Sequence, residues 1–172
     1  MMEFLPLLSE EDFRTEKIYQ SYLTAFPENE RRSDKQFLAL FKNPNASIQT
    51  ISLDGENVGY LVLWNLSEFL YIEHLEVFPD FRGQNMGSQV MQNLCKEYSR
   101  IVFEVEPEDL DEMAKRRIEF YQRNGFVVSD KSYIQPSYGP GKSELNLYLM
   151  TSWNCEDSNR IKEELYDIVY KF

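Results

Sequence analysis

The sequence predicts one α/β domain of the α+β type, in which helices flank a mixed, mostly antiparallel sheet of about six or seven strands. Three observations indicate this class. The chain of 172 residues has about the length of one domain. An Asp-Gly turn signal between two strand-like runs predicts a hairpin, and a later strand–helix–strand unit predicts one parallel crossover. Hairpins combined with one crossover predict a mixed sheet.

The first part of the chain predicts one strand and two helices. A short strand in FLPLL precedes an amphipathic helix, for which we expect Ser9 to be the N-cap. A second helix is predicted in SDKQFLALF, with Ser33 as its cap. The region of Pro44 ends this second helix.

Three strands are predicted next. ASIQTISL and NVGYLVLWNL flank the pair Asp54-Gly55, whose residue types favour a two-residue hairpin turn. FLYIEHLEVF, residues 69–78, follows after a short polar link and supplies the third strand.

The remaining chain alternates helices and strands. Residues 88–98 present one apolar helical face, RIVFEVE returns to strand character, and DEMAKRRIEFYQRNGF predicts a helix that ends at Asn124-Gly125. FVVSDKSYI and SELNLYLMTS are the last two predicted strands. We expect one domain over residues 3–152 and a helical tail over residues 153–172, packed on the same domain or in a dimer contact.

Composition narrows the classes of partner. The formal net charge of -11 argues against a nucleic-acid binder, because phosphate contacts need clustered lysine and arginine. Two cysteines and one histidine, His74, offer no metal-ligand spacing and no serine–histidine–aspartate triad. The longest apolar run, YLVLW, is too short to cross a bilayer, and the acidic start lacks a signal peptide's basic region. We expect a cytoplasmic protein, monomeric or homodimeric, without a metal or a membrane partner.

The stretch FPDFRGQNMGSQVM, residues 78–91, lies at the strand-to-helix corner of the crossover. A helix N-terminus carries unpaired N–H groups and partial positive charge, so it suits a phosphate. A P-loop requires a Gly-Lys-Ser/Thr sequence, yet no lysine lies between Lys42 and Lys96. A dinucleotide fingerprint requires three glycines, and only Gly83 and Gly87 are present.

Two segments resemble the GNAT superfamily of N-acetyltransferases. VFPDFRGQNMGS, residues 77–88, is similar to the family's Gln/Arg-x-x-Gly-x-Gly/Ala loop, with Asn85 where the first signature glycine usually stands. RRIEFYQRNGF, residues 116–126, resembles the family's later helix, and the strand RIVFEVE lies between the two segments. The resemblance covers about residues 3–152 and implies the GNAT fold.

The resemblance implies that acetyl-CoA is the cosubstrate and that its acetyl group passes directly to a primary amine of a small molecule or protein. Its pyrophosphate would bind backbone N–H groups of the loop, and its pantetheine would pair with the strand before it. The implied cofactor-binding residues are Leu75, Glu76, Val77, Arg82, Gly83, Gln84, Asn85, Met86, Gly87 and Ser88. The alternative is a non-catalytic acyl-CoA-binding sensor or interaction module with the same fold.

The resemblance also suggests the catalytic residues. Tyr121 is the expected general acid toward the CoA thiolate, because a phenol with a pKa of about 10 is nearly matched to a thiol leaving group. A carboxylate of raised pKa would accept the proton of the amine; Glu104 is the first candidate and Glu73 the second. His74 is expected to be structural. Acceptor-side residues are sought among Phe26, Arg31, Tyr133 and Tyr138.

Overall fold

The computed structural model describes residues 1–172, and its elements follow the predicted order. The strands are β1 (Met2–Pro6), β2 (Ala46–Leu53), β3 (Glu56–Asn65), β4 (Leu70–Val77), β5 (Ile101–Val105), β6 (Val127–Gln135) and β7 (Leu145–Thr151). The helices are α1 (Thr15–Ala25), α2 (Asp34–Ala39), α3 (Met86–Glu97), α4 (Glu112–Arg123) and α5 (Asn159–Glu164), which continues into a π-helical turn (Leu165–Tyr170). None of these helices combines the length and hydropathy that crossing a bilayer requires.

All seven strands form one sheet in the order β1-β2-β3-β4-β5-β7-β6. Neighbouring strands are antiparallel except β4 and β5, which are parallel and connected through α3. The turn between β2 and β3 contains Asp54 and Gly55 at positive φ, 51° and 86°, as the turn signal predicts. The prediction of a mixed, mostly antiparallel sheet with flanking helices is confirmed.

A hydrophobic core lies on each face of the sheet. Ile18 of α1, Phe37 of α2 and Leu165 of the C-terminal turn pack on one face. Leu94 of α3 and Ile118 of α4 pack on the other face. Side chains alternate along a strand, so successive residues of β5 point into different cores.

The parallel pair β4–β5 is short and then opens. Residues Leu70–Ile72 pair with Ile101–Phe103, and no pairing joins the two strands beyond Ile72. At the same level the register of β3 against β4 shifts between Val62 and Leu63, which leaves Glu73 as the extra residue of a β-bulge. A bulge bends its strand, so the carboxyl-terminal half of β4 diverges from β5 and leaves a gap in the sheet.

One predicted helix cap is wrong and another is confirmed. α1 begins at Thr15 rather than after Ser9, because residues 9–14 form turns in which the Asp12 carboxylate accepts hydrogen bonds from the backbone N–H and guanidinium of Arg14. Ser33 caps α2 as expected, in a capping box with Gln36. The first helix is therefore shorter than its periodicity suggests.

Candidate active site

A cavity of about 680 Å³ occupies the gap between β4 and β5. Phe103 and Val105 pack in the core beneath α3 and α4, whereas Glu104 is hydrogen-bonded to tyrosines on the opposite face. All three residues line the cavity. The gap therefore connects the two faces of the sheet, so two molecules entering from opposite sides would meet inside it.

The loop before α3 exposes a set of backbone donors. Gly83, Gln84 and Asn85 have consecutive positive φ angles of 83°, 48° and 60°. Within this loop and the first helical turn, the N–H groups that lack a protein acceptor belong to Gly83, Gln84, Asn85, Gly87 and Ser88. Successive N–H groups in such a conformation form an anion-binding concavity, and the start of α3 adds partial positive charge. This group of donors is called the N–H cradle below.

The structure explains why two residues of the sequence motif suit their positions. Asn85 takes the left-handed conformation at φ 60° and ψ 20°, which asparagine tolerates better than most residues. A Cβ at Gly87 would lie 3.0 Å from the Phe120 ring of α4, so glycine allows the two helices to approach closely.

Arg82 turns back to the strand end, where its Nε donates to the Val77 carbonyl at 3.0 Å. Its side chain remains 58% exposed.

The strand segment Leu75–Val77 borders the gap. Its β3 neighbour pairs with it along its whole length, whereas no strand pairs with it on the β5 side. Leu75 and Val77 contact the core beneath α3 and α4, and Glu76 is buried on the other face, where it accepts a hydrogen bond from Ser21 at 2.9 Å. Apart from the Val77 carbonyl, which accepts from Arg82, this free edge is available to a ligand that pairs with the backbone.

Tyr121 lies on α4 at the wall of the cavity. Its ring centroid is 4.3 Å from that of Phe103 and 5.2 Å from that of Phe120, so aromatic contacts fix its orientation. No protein group forms a hydrogen bond with its hydroxyl. Burial raises the pKa of Tyr121, and Arg117 partly opposes the shift. The phenol therefore stays protonated at neutral pH and is free to donate.

Glu104 follows Phe103 in β5, and its side chain lies on the face of the sheet opposite to Tyr121. Tyr133 donates to its Oε1 at 2.5 Å, and Tyr170 lies 2.8 Å from both of its oxygens. Burial raises the pKa of Glu104 to about 7, although the hydrogen bonds from Tyr133 and Tyr170 lower it. A carboxyl with this pKa accepts and releases protons near neutral pH, as a general base must.

Glu73, the second candidate base, is a fully buried member of an ion pair. Arg32 Nε donates to its Oε1 at 2.8 Å, Tyr138 donates to the same oxygen at 2.9 Å, and Trp64 Nε1 donates to its Oε2 at 2.6 Å. Burial alone would raise the pKa of Glu73, but Arg32 and these donors leave it below its ordinary value. A carboxylate held in this way is a weak base, so Glu104 is the better candidate.

The acceptor-side candidates divide into two groups. Phe26 and Tyr138 line the cavity, whereas Tyr133 lies behind Glu104 and Arg31 donates to the Phe26 carbonyl outside the lining. His74 lines the cavity too, but its imidazole is buried against the Phe26 ring and hydrogen-bonded to the backbone of Glu30. Burial lowers the pKa of His74, which agrees with the expected structural role.

Sequence reasoning missed three residues near this site. Glu30 lines the cavity, and burial together with neighbouring Glu106 raises its pKa. Arg32 follows another arginine in the sequence, and nothing local signals that one of the two is buried. Tyr170 belongs to the amphipathic tail, where its aromatic character signals packing but no role at Glu104.

Comparison with known proteins shows the family of the chain. The sequence model of the acetyltransferase (GNAT) family matches residues 15–126, more than half of the chain. A solved structure of a Bacteroides thetaiotaomicron protein assigned to the GNAT family superposes with a TM-score of 0.91. It is 33% identical in sequence, and the alignment covers 99% of both chains.

Two curated proteins of Bacillus subtilis (strain 168) are also similar. The candidate acetyltransferase YjbC is 30% identical over 109 residues, which are 63% of this chain and 55% of YjbC. A candidate ribosomal protein bS18 alanine N-acetyltransferase is 31% identical over 67 residues, which are 37% of this chain and 44% of that protein. The chain thus spans about half the length of the curated relatives it matches.

Proposed function

The chain belongs to the GNAT acetyltransferase family, and we propose that it transfers the acetyl group of acetyl-CoA directly to a primary amine in the gap between β4 and β5. One observation carries the proposal: a single cavity reaches from the free edge of β4 to both Tyr121 and Glu104. A proton donor and a proton acceptor at one cavity are what transfer from a thioester to an amine requires.

The residues of the cofactor side fit CoA. The N–H cradle supplies five backbone donors without protein acceptors, and the start of α3 favours an anion such as a pyrophosphate. Arg82 lies beside the cradle; its guanidinium is 3.5 Å from the Glu76 carboxylate, and its side chain is exposed enough to add a charge-assisted contact to a phosphate. The free edge of Leu75–Val77 would pair with the amide groups of pantetheine in the manner of an added strand.

The chemistry then needs two proton transfers. Acetyl-CoA supplies the activated acetyl thioester. Glu104, directly or through a water molecule, takes a proton from the amine, whose nitrogen bonds to the acetyl carbon as the carbon–sulfur bond breaks. Tyr121 gives its phenolic proton to the departing sulfur. The products are the N-acetylamine and CoA thiol; Glu104 holds the proton of the amine, and Tyr121 recovers a proton from solvent.

The acceptor side of the cavity is acidic. Glu30 and Glu106 line it together with Glu104, and Arg117 is already paired with Glu106 at 2.5 Å. These carboxylates favour an acceptor that carries positive charge besides the reacting amine, such as a polyamine. The bS18 alanine N-acetyltransferase relative makes peptide N-termini a second class to test.

Two measurements test this function. Acetyl-CoA at 100 times its dissociation constant should stabilise the fold by about 2.7 kcal/mol, whereas the acetyl thioester of N-acetylcysteamine, which lacks the pyrophosphate, should stabilise it far less. An amine screen that reads CoA release across polyamines, amino acids and peptides should then find an acceptor.

The outcomes separate the alternatives. Stabilisation by acetyl-CoA without amine-dependent CoA release would contradict the enzyme and indicate a non-catalytic acyl-CoA-binding module. Equal responses to acetyl-CoA and to the truncated thioester would contradict the N–H cradle as the pyrophosphate site. No response to either thioester would overturn both functions.

A further inference from the structure

The last turn of the chain reaches the candidate base. Tyr170 ends the π-helical turn that follows α5, and its hydroxyl lies 2.8 Å from both carboxylate oxygens of Glu104. The same hydroxyl is 3.1 Å from that of Tyr71 in β4. Single π-helical turns are rare and occur frequently at functional sites.

The direction of these hydrogen bonds follows from the acceptor. An ionised carboxylate only accepts, so Tyr170 must donate to Glu104 and Tyr71 must then donate to Tyr170. Tyr133 donates independently to Oε1 of Glu104. Oε1 thus receives both the Tyr133 and the Tyr170 hydroxyl, whereas Oε2 receives the Tyr170 hydroxyl, which fixes the plane of the carboxylate at the cavity wall.

The same turn is fixed in place by the buried ion pair. The Val169 carbonyl accepts a hydrogen bond from Arg32 at 2.9 Å, and Arg32 is the partner of Glu73. The ring of Phe172 lies beneath the Arg32 guanidinium, 5.6 Å from its carbon to the ring centroid. Tyr170 therefore lies between Val169 and Phe172, both of which contact Arg32.

We propose that Tyr170 is a positioning residue, which orients Glu104 for proton uptake. The C-terminal turn is then part of the candidate active site. This inference rests on the proposed acetyltransferase function, because it assigns a task to the base of that reaction. The contact between Tyr170 and Glu104 joins residues 66 positions apart in the sequence.

The pH dependence follows from the groups around Glu104. Those that face it from the neighbouring strands, the loop after β6 and the C-terminal turn are Tyr71, Glu73, Tyr133, Tyr138, Tyr166 and Tyr170. Burial raises the pKa of Glu104 to about 7, Glu73 adds to that rise, and the tyrosine hydrogen bonds lower it. Loss of one donor should therefore raise this pKa further.

The test is Tyr170→Phe, which keeps the ring and removes the hydroxyl. A hydrogen bond to a charged group corresponds to a shift of about one pH unit, so the acid limb of kcat/KM should move upward by about that amount. Below pH 6 the kcat/KM of Tyr170→Phe should be about tenfold lower than that of the wild type, and above pH 8 it should change little. Tyr71→Phe, which removes the hydroxyl next to that of Tyr170, should give a smaller shift in the same direction.

A matched control and a second readout keep the test specific. Tyr166→Phe removes a tyrosine hydroxyl from the same turn, one that donates to the Ile134 carbonyl, and should leave the acid limb in place. The side-chain carboxyl carbon of Glu104, assigned by NMR with Glu104→Gln, reports the same titration in the protein without acetyl-CoA. Its midpoint should also move upward in Tyr170→Phe.

The outcomes distinguish this inference from the function on which it rests. An active wild type with an unshifted limb and midpoint in Tyr170→Phe would overturn the inference alone. An equal loss of turnover at every pH would also overturn it, because that result indicates a purely structural tyrosine. A wild type that binds acetyl-CoA but releases no CoA with any amine would overturn the proposed function, and the inference with it.

Discussion

Replacing Arg32 with methionine should leave a buried negative charge without its partner. The side chains of Arg32 and Glu73 are 1% and 0% exposed, and Nε lies 2.8 Å from Oε1. Arg32 also donates to the Val169 carbonyl, and its guanidinium carbon lies 5.3 Å from the Trp64 ring centroid. Methionine retains most of the packing volume and none of these polar contacts.

The magnitude follows from the burial of both partners. Removing one member of a buried ion pair costs about 3–5 kcal/mol of unfolding free energy, because the other charge stays desolvated. For a domain of this size, that corresponds to a fall in Tm of about 6–20 °C. The double variant Arg32→Met/Glu73→Gln removes both charges, so its loss should be smaller than the sum of the two single losses.

The loss of stability in Arg32→Met should depend on pH. In the wild type the pKa of Glu73 lies below its ordinary value, so the ion pair stabilises the fold above the unfolded-state pKa and loses this effect as the pH falls. In Arg32→Met only burial and weaker donors remain, so the pKa of Glu73 rises and protonation relieves the buried charge. The stability difference between wild type and variant should therefore narrow as the pH falls from 7 toward 4.

Urea unfolding at pH 7 and at pH 4.5 measures both effects. Arg31→Met is the matched control, because Arg31 makes a hydrogen bond to the Phe26 carbonyl and no ion pair. It should cost about 1 kcal/mol or less. A loss below about 1 kcal/mol in Arg32→Met, or a difference that does not narrow at low pH, would refute the assignment of Glu73 as a structural anion.

Two further predictions concern α3 and α4, on the other face of the sheet. Tyr121→Phe should lower kcat by about 100-fold or more while the Kd for acetyl-CoA stays within a few-fold, and unchanged turnover would remove Tyr121 from the role of acid. Asn85→Val forces a β-branched residue to φ 60°, at a cost of about 1–2 kcal/mol, and should weaken acetyl-CoA binding by about 5–30-fold in calorimetry. Asn85→Gly should bind like wild type; equal binding by both variants would contradict the role of this conformation in the N–H cradle.

The fold could be predicted from the sequence largely because its signals are local. Asp54-Gly55 specifies a hairpin within two residues, and Ser33 with Gln36 specifies a helix start within four. The start of α1 could not be predicted in this way. Asp12 binds Arg14 and turns the chain before the helix begins, a competition that helical periodicity does not reveal.

In the candidate site, too, some residues carry local sequence signals and others are brought together only by the fold. The loop of the N–H cradle and Tyr121 belong to two short motifs on either side of β5, and the resemblance of these motifs to the family was enough to suggest them. Arg32 meets Glu73 across 41 residues, and Tyr170 meets Glu104 across 66. Such pairs depend on how the C-terminal turn packs against the sheet, and they are the contacts by which the two candidate glutamates differ.

Amine-dependent CoA release by wild type and by Glu104→Gln, both saturated with acetyl-CoA at pH 8, tests the central claim most directly. We expect steady turnover by the wild type and a loss of about 100-fold or more in Glu104→Gln, with acetyl-CoA binding retained. Glu108→Gln, at an exposed carboxylate paired with Lys131, should stay within a few-fold of wild type. A wild type whose CoA release no amine accelerates, or a Glu104→Gln variant as active as wild type, would contradict it.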